Sequence, residues 1–252
     1  DHDKDLDIVL VADGGFQVWL NRGNLDFMDA TSWSIFPDVG DSQVGLYAVD
    51  WDRDVDVDII VACERWGTGI LENMRHGQVV WDRFEGPFPQ RGKDFITAFE
   101  SDGNVSWDFA AAGESLHVVR TVSPGARRPT PLNSRELSTS RHLGVISADI
   151  NNDSAVDLVV FNEKKLEVAF GRGDGRFEPL SDLGPSGDRL ESAQLVDVNA
   201  DGWLDVVLID SGKLVVFINQ QLGKGHWLKL KAVGQTDNAG HAGHTGIGTL
   251  VE

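Results

Sequence analysis

The sequence predicts an all-β fold, a β-propeller whose four-stranded blades are each roughly 50 residues long. Three observations predict it. An acid directly precedes an apolar run five times, at Asp7, Asp58, Asp108, Asp157 and Asp205, at successive spacings of 51, 50, 49 and 48 residues. Short runs rich in β-branched residues alternate with Gly, Asn and Asp turns, and no segment carries a helical period. A sheet of this size cannot bury both its faces alone, so copies must stack around an axis to make a core.

Taken in order, the first copy opens with DHDKDLD (1–7) and continues as strand, turn and strand in DIVLVA-DGG-FQVWL (7–20), without a leading strand. Each later copy starts with a short apolar segment: LYAV (46–49), ITAF (96–99), VISA (145–148) and QLV (194–196). An acidic loop follows, then an apolar strand, a turn and a second strand, as in DLVVFN-EKK-LEVAF (157–170) and DVVLID-SGK-LVVFI (205–218). Five blade signatures are visible, the first truncated. Propellers have about four to eight blades. The chain begins at Asp1 with no Met and no signal peptide. It therefore reads as a fragment or processed product, with further blades expected on its N-terminal side.

With 252 residues, 41% of them apolar, and eight Trp, the chain can bury a sizeable core. No apolar run reaches the length of about 18 residues that a membrane helix needs. A net charge of −18 argues against a nucleic-acid partner, because a polyanion would be repelled. The charge suits solubility, cation binding or a basic partner. The one cysteine, Cys63, lies in IIVAC and reads as a buried structural residue that forms no internal disulfide.

The loops carry the chemistry. They read DWDRDVDVD (50–58), ESDGNVSWD (100–108), DINNDSAVD (149–157) and DVNADGWLD (197–205), with Asp, Asn or Glu at positions 1, 3, 5 and 9. Oxygens so placed, with a backbone carbonyl at position 7, supply most of the six to eight ligands that Ca²⁺ takes. Mg²⁺ demands stricter octahedral geometry, and the absence of Cys and His at these positions disfavours soft metals. The candidate ligands are Asp50, Asp52, Asp54 and Asp58; Asp149, Asn151, Asp153 and Asp157; and Asp197, Asn199, Asp201 and Asp205. The backbone carbonyls of Asp56, Ala155 and Trp203 join them, which leaves the Asp56 side chain free. The truncated copy offers Asp1, Asp3 and Asp7, and the poorest copy offers Glu100, Asp102, Asn104 and Asp108, where Glu at position 1 has a longer reach. Position 6 calls for the positive φ of a sharp turn, which Gly202 meets easily and Val55 and Val105 resist. The alternative for every loop is an Asx turn that caps its own amides.

The loop pattern D-x-[DN]-x-D-G-x-x-D before an apolar strand, with GRGDGRF (171–177), resembles the FG-GAP/VCBS repeat across residues 1–222. That resemblance implies a calcium-binding propeller related to integrin α-subunit heads. Residues 223–252 resemble the start of an ASPIC/UnbV segment, through His226-Trp227-Leu228, Gly234, Asn238 and Gly246-Ile247-Gly248. Together they are similar to secreted proteins of the cartilage acidic protein type. The resemblance implies a secreted, periplasmic or cell-surface protein.

Other features have simpler readings. Arg172-Gly173-Asp174 spells an adhesion tripeptide but falls where a blade needs a glycine turn before Phe177. The glycosylation patterns at Asn104 and Asn152 lie inside the loops, where a glycan would compete with folding. His226, His241 and His244 sit in a glycine-rich setting with no nearby Cys, which reads as a flexible loop, not a zinc site. Arg127 and Arg128, between prolines, read as a solvated basic loop. Trp19, Trp51, Trp107 and Trp203 read as blade packing, and one or two Trp could form a sugar-stacking platform. No G-x-S-x-G, H-E-x-x-H or phosphate loop occurs.

The expected function is a calcium-stabilised, non-catalytic binding or adhesion scaffold for a protein or glycan ligand. The alternatives are a lectin-like carbohydrate-binding module, and a propeller hosting a lyase or hydrolase site.

Overall fold

In a computed structural model the described residues are 5–12, 15–36, 44–63, 65–85, 95–122 and 129–220. The ASPIC/UnbV-like segment, Arg127, Arg128, the three C-terminal histidines, Asp1 and Asp3 lie outside them. Five antiparallel sheets follow one another along the chain as blades of a propeller. The first blade holds β1 (Ile8–Ala12), β2 (Gly15–Asn21) and β3 (Phe27–Asp29). The second holds β4 (Val44–Val49), β5 (Asp58–Cys63), β6 (Gly67–Asn73) and β7 (Val79–Arg83). The third comprises β8 (Phe95–Phe99), β9 (Asp108–Ala112), β10 (Leu116–Thr121) and β11 (Pro131–Ser138). The fourth comprises β12 (Gly144–Ala148), β13 (Asp157–Phe161), β14 (Lys165–Ala169) and β15 (Ser181–Ser186). The fifth has β16 (Leu190–Val196), β17 (Asp205–Asp210) and β18 (Lys213–Phe217).

Each sheet is a simple meander, with strands hydrogen-bonded in sequence order. The middle three blades have the four strands expected, and among the described residues the first and fifth have three. In the first blade the missing strand is the leading one, as the truncated repeat predicts. The leading strands of successive blades touch one another, β4 to β8, β8 to β12 and β12 to β16, and so line the axis.

In the middle three blades the apolar runs after each acid are continuous because the strands they form are buried on both faces. Side chains alternate across a strand. In β5, Ile60 and Ala62 pack toward the third blade with Phe109 and Val119, while Val61 and Cys63 pack toward the first with Phe16. In β13, Leu158 and Val160 join Ala110, Ala112 and Leu116 of the third blade, while Val159 and Phe161 join Leu190 and Leu208 of the fifth. Each such side chain contributes roughly 1.5–3 kcal/mol by leaving water, so the interblade layers are the core. Cys63 is fully buried, as its setting predicts.

Trp51 wedges between the second and third blades, its ring 5.3 Å from Phe84 and 5.2 Å from Phe109. The outermost strands of the third and fourth blades are mostly exposed and carry proline, Pro131 and Pro185, which an edge strand tolerates. That of the second, VVWDR, is instead largely apolar, with Val79 buried. In the third and fourth blades the polarity of the fourth strand hides it from the sequence, which shows three obvious strands per repeat. After the first blade a 3-10 turn, Thr31–Trp33, leads to Ser34 and Ile35. Val79 N donates to Ser34 Oγ at 3.0 Å, which ties that stretch to the second blade.

Candidate metal-binding loops

Each of the four complete acidic loops joins a blade's first strand to its second, so these loops emerge at the same end of their blades. Their backbones share one path. Position 6 has positive φ in every complete copy: Val55 at 77°, Val105 at 65°, Ser154 at 74° and Gly202 at 87°. So does position 4, at Arg53, Gly103, Asn152 and Ala200, with φ of 64°, 76°, 54° and 59°. The loop thus imposes its shape on valines that resist it, at a cost of order 1–3 kcal/mol each.

The acid at position 9 is a clamp. Asp58, Asp108, Asp157 and Asp205 are all buried, and each uses both carboxylate oxygens inside its own blade. One oxygen accepts from position 2 of the loop: Trp51 N at 3.0 Å, Ile150 N at 3.0 Å, Val198 N at 2.9 Å, and Ser101 Oγ in the third loop. The other accepts the amide just past or at the end of the third strand, from Asn73, Thr121, Gly171 and Asn219, each at 2.8 Å. Asp7 does the same with Asn21 N at 2.9 Å. Burial pushes Asp58 up to about 7 and Asp108 and Asp157 up to about 6, against the donors that lower them: backbone amides for Asp58 and Asp157, and the Ser101 hydroxyl, then the Thr121 amide, for Asp108. A nearby cation would favour the ionised forms.

Beyond the clamp the loops diverge. In the second, ligand oxygens of Asp50, Asp52 and Asp58 lie within 4.8 Å of one another. Oxygens around an ion at about 2.3–2.6 Å have that spread. Asp50 Oδ1 and Asp52 Oδ1 are shielded from solvent and have no hydrogen-bond partner. Burial, then the Asp54 charge, raises Asp52 above the usual carboxylate range. Ca²⁺ fits this donor set. Asp54 instead caps Asp56 N at 2.9 Å. The Asp56 side chain is not free as expected: it is buried and accepts from Arg75 Nε at 2.6 Å.

The fourth and fifth loops copy each other bond for bond. Asp149 accepts from Asp153 N and Ser154 N, and Asp197 accepts from Asp201 N and Gly202 N. Asn151 Nδ2 donates to Asp153 Oδ2 at 2.9 Å, and Asn199 Nδ2 to Asp201 Oδ2 at 3.0 Å. Here the Asx-turn network that competes with the ligand reading is fully formed. Asp153 and Asp201 also cap Ala155 N and Trp203 N.

In the third loop Glu100 Oε1 folds back over three amides, those of Asp102, Gly103 and Asn104. Asp102 pairs with Arg120 Nη2, and Asn104 Nδ2 donates to Thr121 O at 2.9 Å. This set does not fit a metal ion, because a guanidinium already holds the position-3 carboxylate. Asn152 Nδ2 is likewise committed, to Gly202 O at 3.1 Å, so both glycosylation patterns have their acceptor nitrogen engaged. The Arg172-Gly173-Asp174 turn is closed by Arg172 N to Arg176 O at 3.0 Å, and seats the buried Phe177.

A family profile described as FG-GAP-like repeat matches residues 1–61 and 149–207. Those two stretches are similar to FG-GAP-like repeats. The first, fourth and fifth loops and the whole of the second lie within the matched residues, and the third lies outside them. A search of curated proteins finds no match. Among solved structures, a lectin from Agrocybe aegerita, described by its recognition of non-reducing terminal N-acetylglucosamine, superposes with a TM-score of 0.62 at 18% identity. The alignment covers 88% of this chain and 61% of the lectin, so the chain spans less than two thirds of that protein's length. At this identity the likeness speaks to the propeller fold.

Sequence reasoning missed three things. Asn21, Asn73 and Asn219 recur 14 or 15 residues after Asp7, Asp58 and Asp205, a periodicity that could have revealed the clamp. The positive φ at position 4 left no trace, since Arg, Gly, Asn and Ala all occupy it. Arg120 gave no signal, because its role depends on a contact between loop and strand.

Proposed function

We propose that this protein is a calcium-stabilised propeller that serves as a non-catalytic binding scaffold in an extracellular or periplasmic setting, where calcium at about millimolar fills weak sites. One observation carries the reading: Asp50, Asp52 and Asp58 converge, and two of their buried oxygens lack any partner. Uncompensated buried carboxylates are costly, and a hard cation offsets that cost. Asp50, Asp52 and Asp58 would hold the ion, with Ca²⁺ supplying charge neutralisation and no chemistry. Among the described residues no helix is long and apolar enough to cross a membrane. Elemental analysis and thermal melts with and without EGTA test the proposal. A metal-free protein whose melting temperature ignores the chelator would overturn it.

A second reading, glycan binding, is supported by a cavity of about 410 Å³ between the third and fourth blades. It is lined by Arg120, Asn133, Ser134 and Arg135 on one side and by Arg176 and Phe177 on the other. Such a volume lies within the usual range of small-ligand sites, about 300–1,000 Å³. Polar donors beside an aromatic ring suit a sugar. The lectin likeness in fold agrees with this use. A glycan array without hits would remove it.

A further inference from the structure

We propose that Arg120 is the third loop's own cation: its guanidinium takes the place of a metal ion in residues 100–108, so this copy keeps its shape without calcium and locks the third blade to the fourth. The inference deepens the calcium reading by dividing the loops into metal-dependent and metal-independent copies.

The loop has the same backbone as its neighbours, including positive φ at Gly103 and Val105, and the same buried clamp at Asp108. Only its charge is neutralised differently. Arg120, at the end of β10, directs Nη2 onto Asp102 Oδ2, with side-chain exposures of 20% and 9% for the pair. That carboxylate also accepts Asn104 N at 3.1 Å. Glu100, whose longer arm could reach an ion, instead spends Oε1 on three loop amides. Among the described residues, the third loop has no solvent-shielded carboxylate oxygen without a partner, unlike the second; its shielded unpartnered groups are Ser106 Oγ and Arg120 Nε.

Arg75 shows why an arginine nearby is not enough. It binds Asp56 Oδ2 and the Asp54 carbonyl, and leaves Asp50 and Asp52 untouched. Its side chain is half exposed, at 51%, against 20% for Arg120.

The fourth blade supplies the seat. Gly175 N donates to Ser101 O at 2.9 Å across the blade boundary. A Cβ on Gly175 would fall 2.2 Å from Arg120 Nε and 2.4 Å from Cζ, and its φ is +77°. The positive φ favours glycine there, and any larger residue would also displace the guanidinium from its place beside the loop. A bidentate-capable, permanently charged group suits such a half-buried carboxylate better than lysine would.

The test counts bound calcium by equilibrium dialysis and reads melting temperature with and without EGTA, in the wild type and in Asp102→Asn, Arg120→Gln, Arg120→Lys and Asp52→Asn. Asp102→Asn is expected to leave the calcium count unchanged and to lower the melting temperature by about 4–8 °C, equally with and without chelator. Arg120→Gln is expected to gain one calcium and a larger chelator response, while Arg120→Lys keeps the wild-type count. A fall in count with Asp102→Asn, or an unchanged count in a folded Arg120→Gln, overturns the assignment. Should Arg120→Gln fail to fold, Asp102→Asn and Arg120→Lys decide alone. Asp52→Asn reports on the second loop separately: if it leaves the count unchanged, the calcium reading of that loop fails, and the Arg120 assignment is still judged on its own variants.

Discussion

The second and third loops share a backbone and a clamp but solve the same electrostatic problem in opposite ways. Residues 50–58 gather Asp50, Asp52 and Asp58 within 4.8 Å and leave oxygens without partners, while residues 100–108 bring in Arg120. The difference teaches that the repeat's shape and the charge it leaves to be neutralised are separable. Shape comes from the position-9 carboxylate and from two residues of positive φ. Cation demand comes from how many carboxylates remain once arginines and amides have been served.

The largest expected effect tests what the loops share. Asp58→Ala or Asp108→Ala strips the acceptor from two buried donors. Each should cost about 2–4 kcal/mol in urea unfolding without calcium. Unequal losses there would mean that the clamps are not equivalent. With calcium added, Asp58→Ala should lose further ground and Asp108→Ala should not.

Next comes calcium itself. At 100 times its dissociation constant an ion adds about 2.7 kcal/mol. Asp52→Asn should abolish most of that increment in a calcium titration followed by unfolding, and Asp102→Asn should leave it intact. Equal sensitivity of the two variants would erase the contrast.

Strain is the third axis. Val55 and Val105 are half exposed at φ of 77° and 65°, so glycine at either relieves strain while losing little packing. Val55→Gly and Val105→Gly should each stabilise by about 0.5–1 kcal/mol, net of glycine's unfolded-state entropy. A gain in one loop alone would show that the backbones differ in stiffness.

The smallest effect lies outside both loops and separates their acid response from the rest. His142 is buried, with Nε2 3.1 Å from Ser138 Oγ. Burial, and then the Lys165 charge, hold it below its ordinary 6.5 against the opposing pull of Glu167. A depressed folded value means that its contribution is present above about 6.5 and is lost as pH falls from there. His142→Gln should flatten the pH profile of the melting temperature below 6.5 by about a degree or two.

Much of this was legible in the sequence. The acid before each apolar run marks the second strand of each blade, because a strand buried on both faces must be apolar throughout and its first residue must be the clamp. The ligand pattern was legible too, but its partners were not. Asp52 and Asp102 occupy the same position, and only the fold shows one left without a partner and the other facing Arg120. Asp56 looked like surplus charge until Arg75, on another turn, was placed beside it. Position 7 is buried in all four complete loops, as Asp56, Ser106, Ala155 and Trp203, residues with nothing chemical in common. Patterning by residue type cannot reveal a position defined by geometry alone.

The clamp has a consequence for ancestry. In the four complete copies the position-9 aspartate meets both its donors within its own blade, from Asp58 with Trp51 and Asn73 to Asp205 with Val198 and Asn219. A gene segment of one period, copied or deleted, therefore carries its acceptor and its donors together and orphans none in the neighbours. Duplication of such a unit is tolerated from the first generation. The near-constant spacing of the five acids is the trace that history of this kind would leave.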